Sequence, residues 1–386
     1  MNEHNQEKKS SVAGNYNRYP IEFVSGTGST LVDAAGKEYL DFMSGIAVTS
    51  FGHQHPLIKA AVIAQLNKVW HTSNLFEISL QKSVAEKLTA KTGLEKVFFC
   101  NSGTEANEAA IKYARKWGGE RFEIITATGG FHGRTMGSLS ATGQSKIQDG
   151  FSPLLPGFVY VPFNNSNAIR AAINSNTVAV LIEPIQGENG IMVPDDNYLA
   201  EVSLLCAEHN LLLIIDEVQT GIGRTGSFFA YQMSNIIPDM VTFAKGIANG
   251  LPLGGLICNA KVSQVMVPGT HGSTFGGNHV SLAAAEVVLD LLTDEKLAEI
   301  AGMGEYLMKE LRLVQNEHIK DVRGKGLLIG VELAKEIEVK KIAELMLKEG
   351  VVCGTSGNNT LRLLPPFIIS KTDRDHFIAV FKKIVN

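Results

Sequence analysis

Residues 211–226 read LLLIIDEVQTGIGRTG, a stretch that joins a buried-strand pattern to two acids and three regularly spaced glycines. Five apolar residues lead into Asp216 and Glu217, and the glycines then match the pattern G-x-G-x-x-G. A dinucleotide fingerprint places such glycines directly after the first strand and at the start of a helix. Here four residues separate Asp216 from Gly221, and SFFAYQ follows instead of a helix start. We therefore interpret the glycines as turn residues and Asp216 as the functional residue.

Short, wholly apolar runs of the same kind recur along the chain, with helical segments between them. Strands with this composition are buried on both faces, which is typical of a mostly parallel sheet covered by helices. The sequence therefore predicts an α/β fold with a large, mostly parallel sheet. The runs are residues 96–100, 123–127, 158–162, 178–184, 211–216, 240–245 and 254–259.

The two ends of the chain have a different pattern and predict a second, smaller α+β domain. Residues 21–45 alternate apolar and polar side chains around Gly-rich turns, which predicts two or three short antiparallel strands. Residues 280–316 are Ala-rich and predict a long helix with one break. Further strands are predicted at 322–333, 351–355 and 360–367.

These patterns give the expected domain limits. Residues 1–44 and 285–386 are predicted to form the small domain, and residues 45–284 the large domain that carries the ligand site. A polar tail is expected over residues 1–17.

Composition excludes several classes of protein. The chain has 386 residues, 45% of them hydrophobic, and a net charge of −4 with both signs interspersed, which argues against nucleic acid or an anionic membrane as partner. The four cysteines are far apart, so neither a disulfide framework nor a cysteine-based zinc site is expected. No apolar run approaches the roughly 18 residues that span a bilayer. A cytoplasmic, soluble protein is predicted.

Polar residues follow the apolar runs, where the strands are predicted to end. Ligands of such sheets bind at the carboxyl ends of the strands, so these residues are expected to meet around one site. They are the segments 101–104, 130–134 and 186–188 together with Glu183, Asp216, Gln219 and Lys245.

The segment after the first run has the spacing of a capped helix that could bind an anion. Ser102 and Glu105 form an S-x-x-E box before an Ala-rich helical run, and Gly103 allows a ligand to approach the backbone closely. A simple structural cap is the alternative for such a box seen alone.

Asp216 and Lys245 are the candidates for chemistry. A carboxylate at the end of a buried strand needs a cation, and a charge pair at about 4 Å with a dielectric near 20 is worth roughly 4 kcal/mol. That energy equals about 3 pKa units, enough to keep a bound nitrogen base protonated. Burial can turn Lys245 into a neutral, nucleophilic amine. A structural salt bridge and a solvated lysine are the alternatives.

Two further side chains near the strand ends suit ligand contacts. Phe131 lies between glycines, where a ring can stack on a flat ligand, and the planar fork of Arg134 suits a carboxylate.

His53 and His55 lack an acid at metal-ligand spacing, so we predict a turn with ordinary hydrogen bonds and no metal site.

Taken together, these motifs resemble the pyridoxal-phosphate aminotransferases of fold type I, class III subgroup, over nearly the whole chain. The matching segments, in order, are YPIEFVSGTGSTLVDAAGKEYLDFMSGIAV, GHQHP, HTSNLF, FFCNSGTEANEAAIK, FHGRT, IEPIQGE, IIDEVQTGIGRTG, PDMVTFAKGIANGLPLGG, HGSTFGGN, VRGKGLLIGVEL and LRLLPP.

The resemblance implies pyridoxal 5'-phosphate as cofactor. Lys245 would form a Schiff base with it and then move the proton, and Asp216 would pair with the pyridinium nitrogen. Gln219 would reach the ring hydroxyl and Phe131 would stack on the ring. The remaining expected cofactor contacts are Ser102, Gly103 and Thr104 at the phosphate, Glu217 and Val218 beside Asp216, and Thr274 from the neighbouring subunit of a homodimer.

The resemblance also implies how amino-acid substrates bind. Arg134 would bind the substrate α-carboxylate, with Ser273 near the substrate. Arg362 would pair with Glu188 and be released to receive 2-oxoglutarate, so one pocket accepts two substrates of different charge. N-acetylornithine is the favoured amino donor, in arginine biosynthesis. Ornithine, succinylornithine and 4-aminobutyrate remain open, and a nucleotide-dependent oxidoreductase is the alternative of another class.

Overall fold

The computed structural model describes residues 11–385, so the first ten residues of the predicted polar tail lie outside the described part. Its strands are β1 (Phe23–Thr27), β2 (Thr30–Asp33), β3 (Glu38–Asp41), β4 (Lys96–Cys100), β5 (Glu123–Ala127), β6 (Phe158–Val161), β7 (Thr177–Ile182), β8 (Leu212–Asp216), β9 (Met240–Phe243), β10 (Gly254–Cys258), β11 (Ile319–Lys325), β12 (Leu328–Leu333), β13 (Val351–Val352), β14 (Gly354–Ser356) and β15 (Thr360–Leu363).

Helices cover these strands, and two 3-10 turns, Ala230–Ser234 and Lys245–Ala248, follow β8 and β9. The helices are α1 (Ser44–Ala47), α2 (Pro56–Leu66), α3 (Ser79–Thr92), α4 (Gly103–Gly118), α5 (Met136–Ala141), α6 (Ser145–Gln148), α7 (Ser166–Ala172), α8 (Tyr198–Glu208), α9 (Ala260–Ser263), α10 (His279–Leu291), α11 (Asp294–Arg312), α12 (Val339–Lys348) and α13 (Lys371–Val385).

The large sheet has the order β4-β10-β9-β8-β7-β5-β6. β10 runs antiparallel to both of its neighbours, whereas the other strands are parallel to one another. The seven predicted apolar runs correspond to these seven strands, so the predicted mostly parallel sheet is confirmed.

The apolar runs are continuous because both faces of the sheet are covered. In β8, Leu212 and Ile214 pack into the hydrophobic cluster on the α4 side, whereas Leu213 and Ile215 pack into the cluster on the opposite side. Side chains alternate between the two faces of a strand, so every position of such a central strand must be apolar. The same alternation directs Asp216 towards α4.

The two smaller sheets are built from the ends of the described chain. β1, β2 and β3 pair antiparallel as predicted, and β13 from the C-terminal region joins them in parallel with β3. A second sheet has the order β11-β12-β15-β14. The predicted break in the long helix falls between α10 and α11, where Thr293 accepts a hydrogen bond from the backbone N–H of Lys296 and caps α11. The exact domain limits stay a prediction.

One unusual turn lies close to the ligand site. In α1, Ser44, Gly45, Ile46 and Ala47 all have positive φ, between 48° and 68°, so the turn is left-handed. It packs against the 3-10 turn that begins at Lys245. Left-handed turns of L-residues are strained and persist where the surrounding structure holds them. Within residues 11–385, no helix is both long and apolar enough to cross a lipid bilayer.

Candidate active site

A cavity of about 410 Å³ lies at the carboxyl ends of the central strands. Its size is within the usual range for a small-molecule site. The structure brings ten of the predicted site residues together in its wall: Ser102, Gly103, Thr104, Phe131, Arg134, Glu188, Asp216, Val218, Gln219 and Lys245.

Asp216 is held rigidly at the end of β8. Its Oδ1 accepts a hydrogen bond from the backbone N–H of Val218 at 3.0 Å, and Oδ2 lies 2.7 Å from both Asn107 Nδ2 and His132 Nδ1. The side chain is only 3% exposed. A buried carboxylate with this many donors stays ordered and can meet a cationic ligand atom in the cavity.

Asn107 and His132 hold Asp216, and the sequence analysis gave neither a role, although His132 lies in the expected segment 130–134. Asn107 lies on the buried face of α4, where Nδ2 also donates to the carbonyl of His132 and Oδ1 accepts from Thr242 Oγ1. A polar residue in the Ala-rich, buried face of a helix was the available signal. Burial alone would lower the pKa of His132, but its hydrogen bond to Asp216 and the charges of Asp216 and Glu183 raise that pKa.

Lys245 lines the same cavity and begins the 3-10 turn after β9. Its φ is +48°, in the left-handed region that L-residues seldom adopt, and such strain is concentrated at functional sites. Among the described residues its amine has no hydrogen-bond or ion-pair partner. Burial lowers the pKa of Lys245 to about 8, with Glu188 opposing the shift. About a tenth of the amine is therefore uncharged at pH 7, far more than for an ordinary lysine.

The first turn of α4 forms another wall of the cavity. Ser102 is the N-cap, and its hydroxyl accepts from the N–H of Glu105 at 3.3 Å, whereas Glu105 reaches back to the N–H of Asn101 instead of Ser102. The second hydrogen bond of the expected capping box is therefore made to the residue before the N-cap, and not to the N-cap itself. The first N–H groups of the helix, those of Gly103 and Thr104, have no partners within the helix and are suited to an anion.

Phe131 and Arg134 lie on one side of the cavity. The guanidinium carbon of Arg134 is 5.8 Å from the centre of the Phe131 ring, and the Arg134 side chain is exposed. The backbone N–H of Phe131 donates to Glu183 at 3.0 Å. Burial, together with the neighbouring Asp216, raises the pKa of Glu183 to about 7. The loop that carries Phe131 is thus fixed to the end of β7 by a carboxyl group.

Arg362 and Glu188 form an ion pair at the edge of the cavity, as the family resemblance implied for this pair of residues. Arg362 is buried, whereas the side chain of Glu188 is 31% exposed. Gln219 lies beside them, with Nε2 3.3 Å from Glu188 and Oε1 3.4 Å from Arg362. Burial would raise the pKa of Glu188, but the Arg362 guanidinium lowers it below its ordinary value.

Three predicted contacts lie elsewhere. Glu217 points away from the cavity and is fully buried, where it accepts hydrogen bonds from Thr220 and from the backbone N–H of Tyr231. This placement corrects the expected ligand contact of Glu217, because alternation along the strand end turns it to the opposite face from Asp216. Ser273 and Thr274 line a separate surface cavity with Asn101.

The two histidines of GHQHP have different surroundings. His53 Nε2 lies 2.9 Å from Asp41, which confirms the prediction of an ordinary hydrogen bond. That prediction is wrong for His55, whose buried Nδ1 has no partner among the described residues. Within residues 11–385, no three His, Cys, Asp or Glu side chains are arranged to hold a metal ion.

The glycines of the opening stretch form turns, as predicted. Gly223 and Gly226 both have φ of 84°, and a 3-10 turn rather than a helix follows at Ala230–Ser234. The G-x-G-x-x-G match therefore lacks the strand–turn–helix context of a dinucleotide site.

A lysine without a hydrogen-bond partner among the described residues and a buried acid line one cavity at the strand ends, which fits an enzyme that acts on amines. The family model described as Aminotransferase class-III matches residues 11–385, and the chain belongs to that family.

Individual relatives match over almost the full length. The chain is 46% identical over 373 residues to an acetylornithine aminotransferase of Bacillus cereus, which covers 96% of each chain. An N-acetylornithine aminotransferase of Stenotrophomonas maltophilia superposes with a TM-score of 0.84 at 32% identity, covering 96% of each chain. An ornithine aminotransferase of Toxoplasma gondii, whose active site holds PLP (pyridoxal 5'-phosphate) at partial occupancy, superposes with a TM-score of 0.93 at 31% identity, covering 97% of this chain and 92% of that one.

Proposed function

We propose that this enzyme uses pyridoxal 5'-phosphate to transfer the amino group of N2-acetyl-L-ornithine to 2-oxoglutarate, giving N-acetyl-L-glutamate 5-semialdehyde and L-glutamate. The observation that carries the proposal is the placement of Lys245 and Asp216 in one cavity, the first with a free amine and the second buried among donors. The reaction belongs to arginine biosynthesis.

The cavity has the groups that this cofactor needs. Asp216 suits the ring nitrogen, the face of Phe131 suits the flat ring, and the first N–H groups of α4 suit the phosphate. Ser102, Gly103 and Thr104 supply that anion site, and Val218 and Gln219 line the cavity beside Asp216. When bound, the cofactor supplies an aldehyde that reacts with amines and a protonated ring that accepts electrons.

The protein residues divide the remaining tasks. The amine of Lys245, with its lowered pKa, would take a proton from the amine-bearing carbon of the substrate and deliver it to C4′ of the cofactor. Asp216, oriented by His132 and Asn107, keeps the ring nitrogen protonated. Arg134 binds the carboxylate of the donor. Its exposure in the single chain leaves the guanidinium available to a substrate entering from solvent.

The Arg362–Glu188 pair is the basis for accepting two different substrates. With the pair closed, Arg362 offers no free charge to the donor. When 2-oxoglutarate enters, its second carboxylate replaces Glu188 at Arg362. Glu188 can swing outwards because its side chain is partly exposed, whereas Arg362 is held in the interior.

The enzyme is further proposed to be a homodimer with shared active sites. Four large apolar side chains lie exposed on two adjoining segments: Trp70, Leu75, Phe76 and Phe275, with exposures of 63%, 88%, 69% and 60%. Asn74 joins these segments by donating to the carbonyls of Ser273 and Gly276. Exposed apolar patches of this kind mark interaction surfaces. A second copy that covers this patch would receive Thr274 at its phosphate site and Ser273 near its substrate.

Four donors tested with 2-oxoglutarate would decide the substrate. We expect kcat/KM for N2-acetylornithine to exceed that for ornithine, succinylornithine and 4-aminobutyrate by about tenfold or more, a difference of roughly 1.4 kcal/mol in transition-state binding. Lys245→Ala should abolish turnover, and Lys96→Ala, an exposed lysine at the far end of β4, should not. A faster reaction with another donor would overturn the substrate assignment.

A further inference from the structure

The turn that carries Glu188 is strained. Gly190 and Ile191, which follow Glu188, both have positive φ, at 96° and 53°. Ile191 is fully buried and β-branched, so its left-handed conformation is a genuine outlier. Such a turn keeps its shape only if its surroundings hold it.

Arg323 of β11 holds this turn through backbone carbonyls. Its Nη2 donates to the carbonyl of Gly190 at 2.6 Å, and its Nε lies 3.0 Å from that oxygen and 3.1 Å from the carbonyl of Ile191. Asp321 and Glu332 bind the opposite side of the guanidinium, at 2.9 Å and 2.6 Å. The Arg323 side chain is only 14% exposed, so these bonds are made largely out of water.

Backbone bonds between Gln186 and Met192 close the turn, and further contacts come from the same C-terminal region as Arg323. Ser356 Oγ donates to the carbonyl of Gly187 at 2.8 Å and accepts from the N–H of Gly190 at 2.9 Å. The N–H of Gly357 donates to the carbonyl of Glu188 at 3.1 Å. Glu188 therefore follows β7 of the large sheet in sequence, but its turn is also held by residues of the C-terminal region.

The strand register places Arg323 and Arg362 on one face of that sheet. Arg323 of β11 is opposite Gly330 of β12, and Gly330 is opposite Arg362 of β15. Residues directly opposite each other project to the same face. A side chain at Gly330 would press against Ile191, so the strained turn lies over this glycine. Arg323 thus holds the end of the turn, and Arg362 pairs with the carboxylate of Glu188.

We infer that Arg323 is a positioning residue for the Glu188–Arg362 pair: by holding the carbonyls of Gly190 and Ile191 it sets where the Glu188 carboxylate stands, and so controls how the enzyme distinguishes amino donor from keto-acid acceptor. This inference rests on the proposed function. If the turn loosens, Glu188 meets Arg362 less often. Arg362 then binds the carboxylate of the amino donor in an unproductive orientation. The binding of 2-oxoglutarate to Arg362 is not affected in this way.

The test compares Arg323→Lys with Arg115→Lys. Arg115 is a matched control because it too donates through Nε and Nη2 to backbone carbonyls, those of Phe122 and Pro156, which belong neither to β11 nor to the turn. We expect Arg323→Lys to lower kcat/KM for the donor about tenfold and for 2-oxoglutarate by less than about threefold. Arg115→Lys should leave the ratio of the two within about twofold. Equal losses for both substrates in Arg323→Lys would overturn the inference.

Two further variants remove the remaining ambiguities. In a Glu188→Gln background, Arg323→Lys should no longer change the donor-to-acceptor ratio, because the carboxylate it positions is gone. If the two substitutions instead have additive effects on the donor-to-acceptor ratio, the inference is wrong. Should Arg323→Lys fail to fold, Ser356→Ala loosens the same turn and should shift the ratio in the same direction, and an unchanged ratio there overturns the inference. Absence of transamination with every donor would instead contradict the proposed function.

Discussion

His132 Nδ1 lies 2.7 Å from Asp216 Oδ2, and the two side chains are 1% and 3% exposed. Asn107 donates to the same oxygen, so the carboxylate receives two side-chain donors from one direction. This arrangement leaves the face of Asp216 towards the cavity for a ligand. We therefore expect His132 to act by holding Asp216 in place.

Replacing His132 by leucine should weaken cofactor binding. A hydrogen bond to a charged group is worth about 1.5–3 kcal/mol. We therefore expect the Kd for pyridoxal 5'-phosphate to rise by about 10- to 100-fold, with a fall in kcat. His53→Leu is the matched control, because it removes a His–Asp bond of 2.9 Å outside the cavity. Equal Kd values for the two variants, measured by equilibrium titration, would remove His132 from this role.

Covalent loading of cofactor-free enzyme should depend on pH through Lys245. Its pKa, lowered by burial to about 8, predicts that the rate of adduct formation rises up to about pH 8 and levels off above pH 9. An ordinary lysine, with a pKa near 10.4, would keep gaining reactivity up to about pH 11. Mass spectrometry after borohydride reduction at a series of pH values measures this rate. A rate that still climbs at pH 10 contradicts the prediction.

Glu217 should make folding stability depend on pH. Burial raises the pKa of Glu217 to about 7 from an ordinary value of 4.5, so the folded state binds the proton more tightly than the unfolded state. The contribution of Glu217 to the free energy of unfolding is fully present below pH 4.5 and is lost as pH rises through 7. The free energy lost over this range is roughly 3 kcal/mol at most. Glu217→Gln should therefore gain stability relative to the parent between pH 5 and pH 8.

Urea unfolding at the two pH values tests this expectation. Glu295→Gln provides a comparison, because Glu295 is an exposed carboxylate in the first turn of α11, where backbone hydrogen bonding lowers its pKa. Its contribution to stability changes only below about pH 5, so Glu295→Gln should respond little to pH between 5 and 8. A parallel pH response of both variants would show that burial of Glu217 does not control the effect.

Two inactive variants should complement each other if active sites are shared between subunits. Lys245→Ala disables the chain that holds the cofactor, and Thr274→Glu places a negative charge where the partner's phosphate would bind. In a mixed dimer, one of the two sites carries both changes and the other carries neither. Random mixing should therefore restore about a quarter of the parent activity. Mixtures that stay inactive after verified subunit exchange would contradict sharing.

Much of the fold and site follows from short-range patterns. Continuous apolar runs predicted the strands, because a strand buried on both faces carries apolar side chains at every position. Asp216 was recognisable because burying an acid at the end of such a run is energetically unfavourable. The site residues near strand ends were predictable for the same reason. Asn107 was harder to predict, because its position on the buried face of an Ala-rich helix was the available signal and does not show which group it holds. The contact of Arg323 with Gly190 joins residues 133 apart in sequence and depends on how two sheets meet.

Adjacent acids at the end of β8 face opposite ways: Asp216 lines the cavity, and Glu217 is fully buried in the interior. A displacement of β8 by one residue against its neighbours would exchange the two directions. The misassembled chain would keep its helix and strand content and lose its ligand. Refolded enzyme is therefore better judged by the share of molecules that retain cofactor than by circular dichroism.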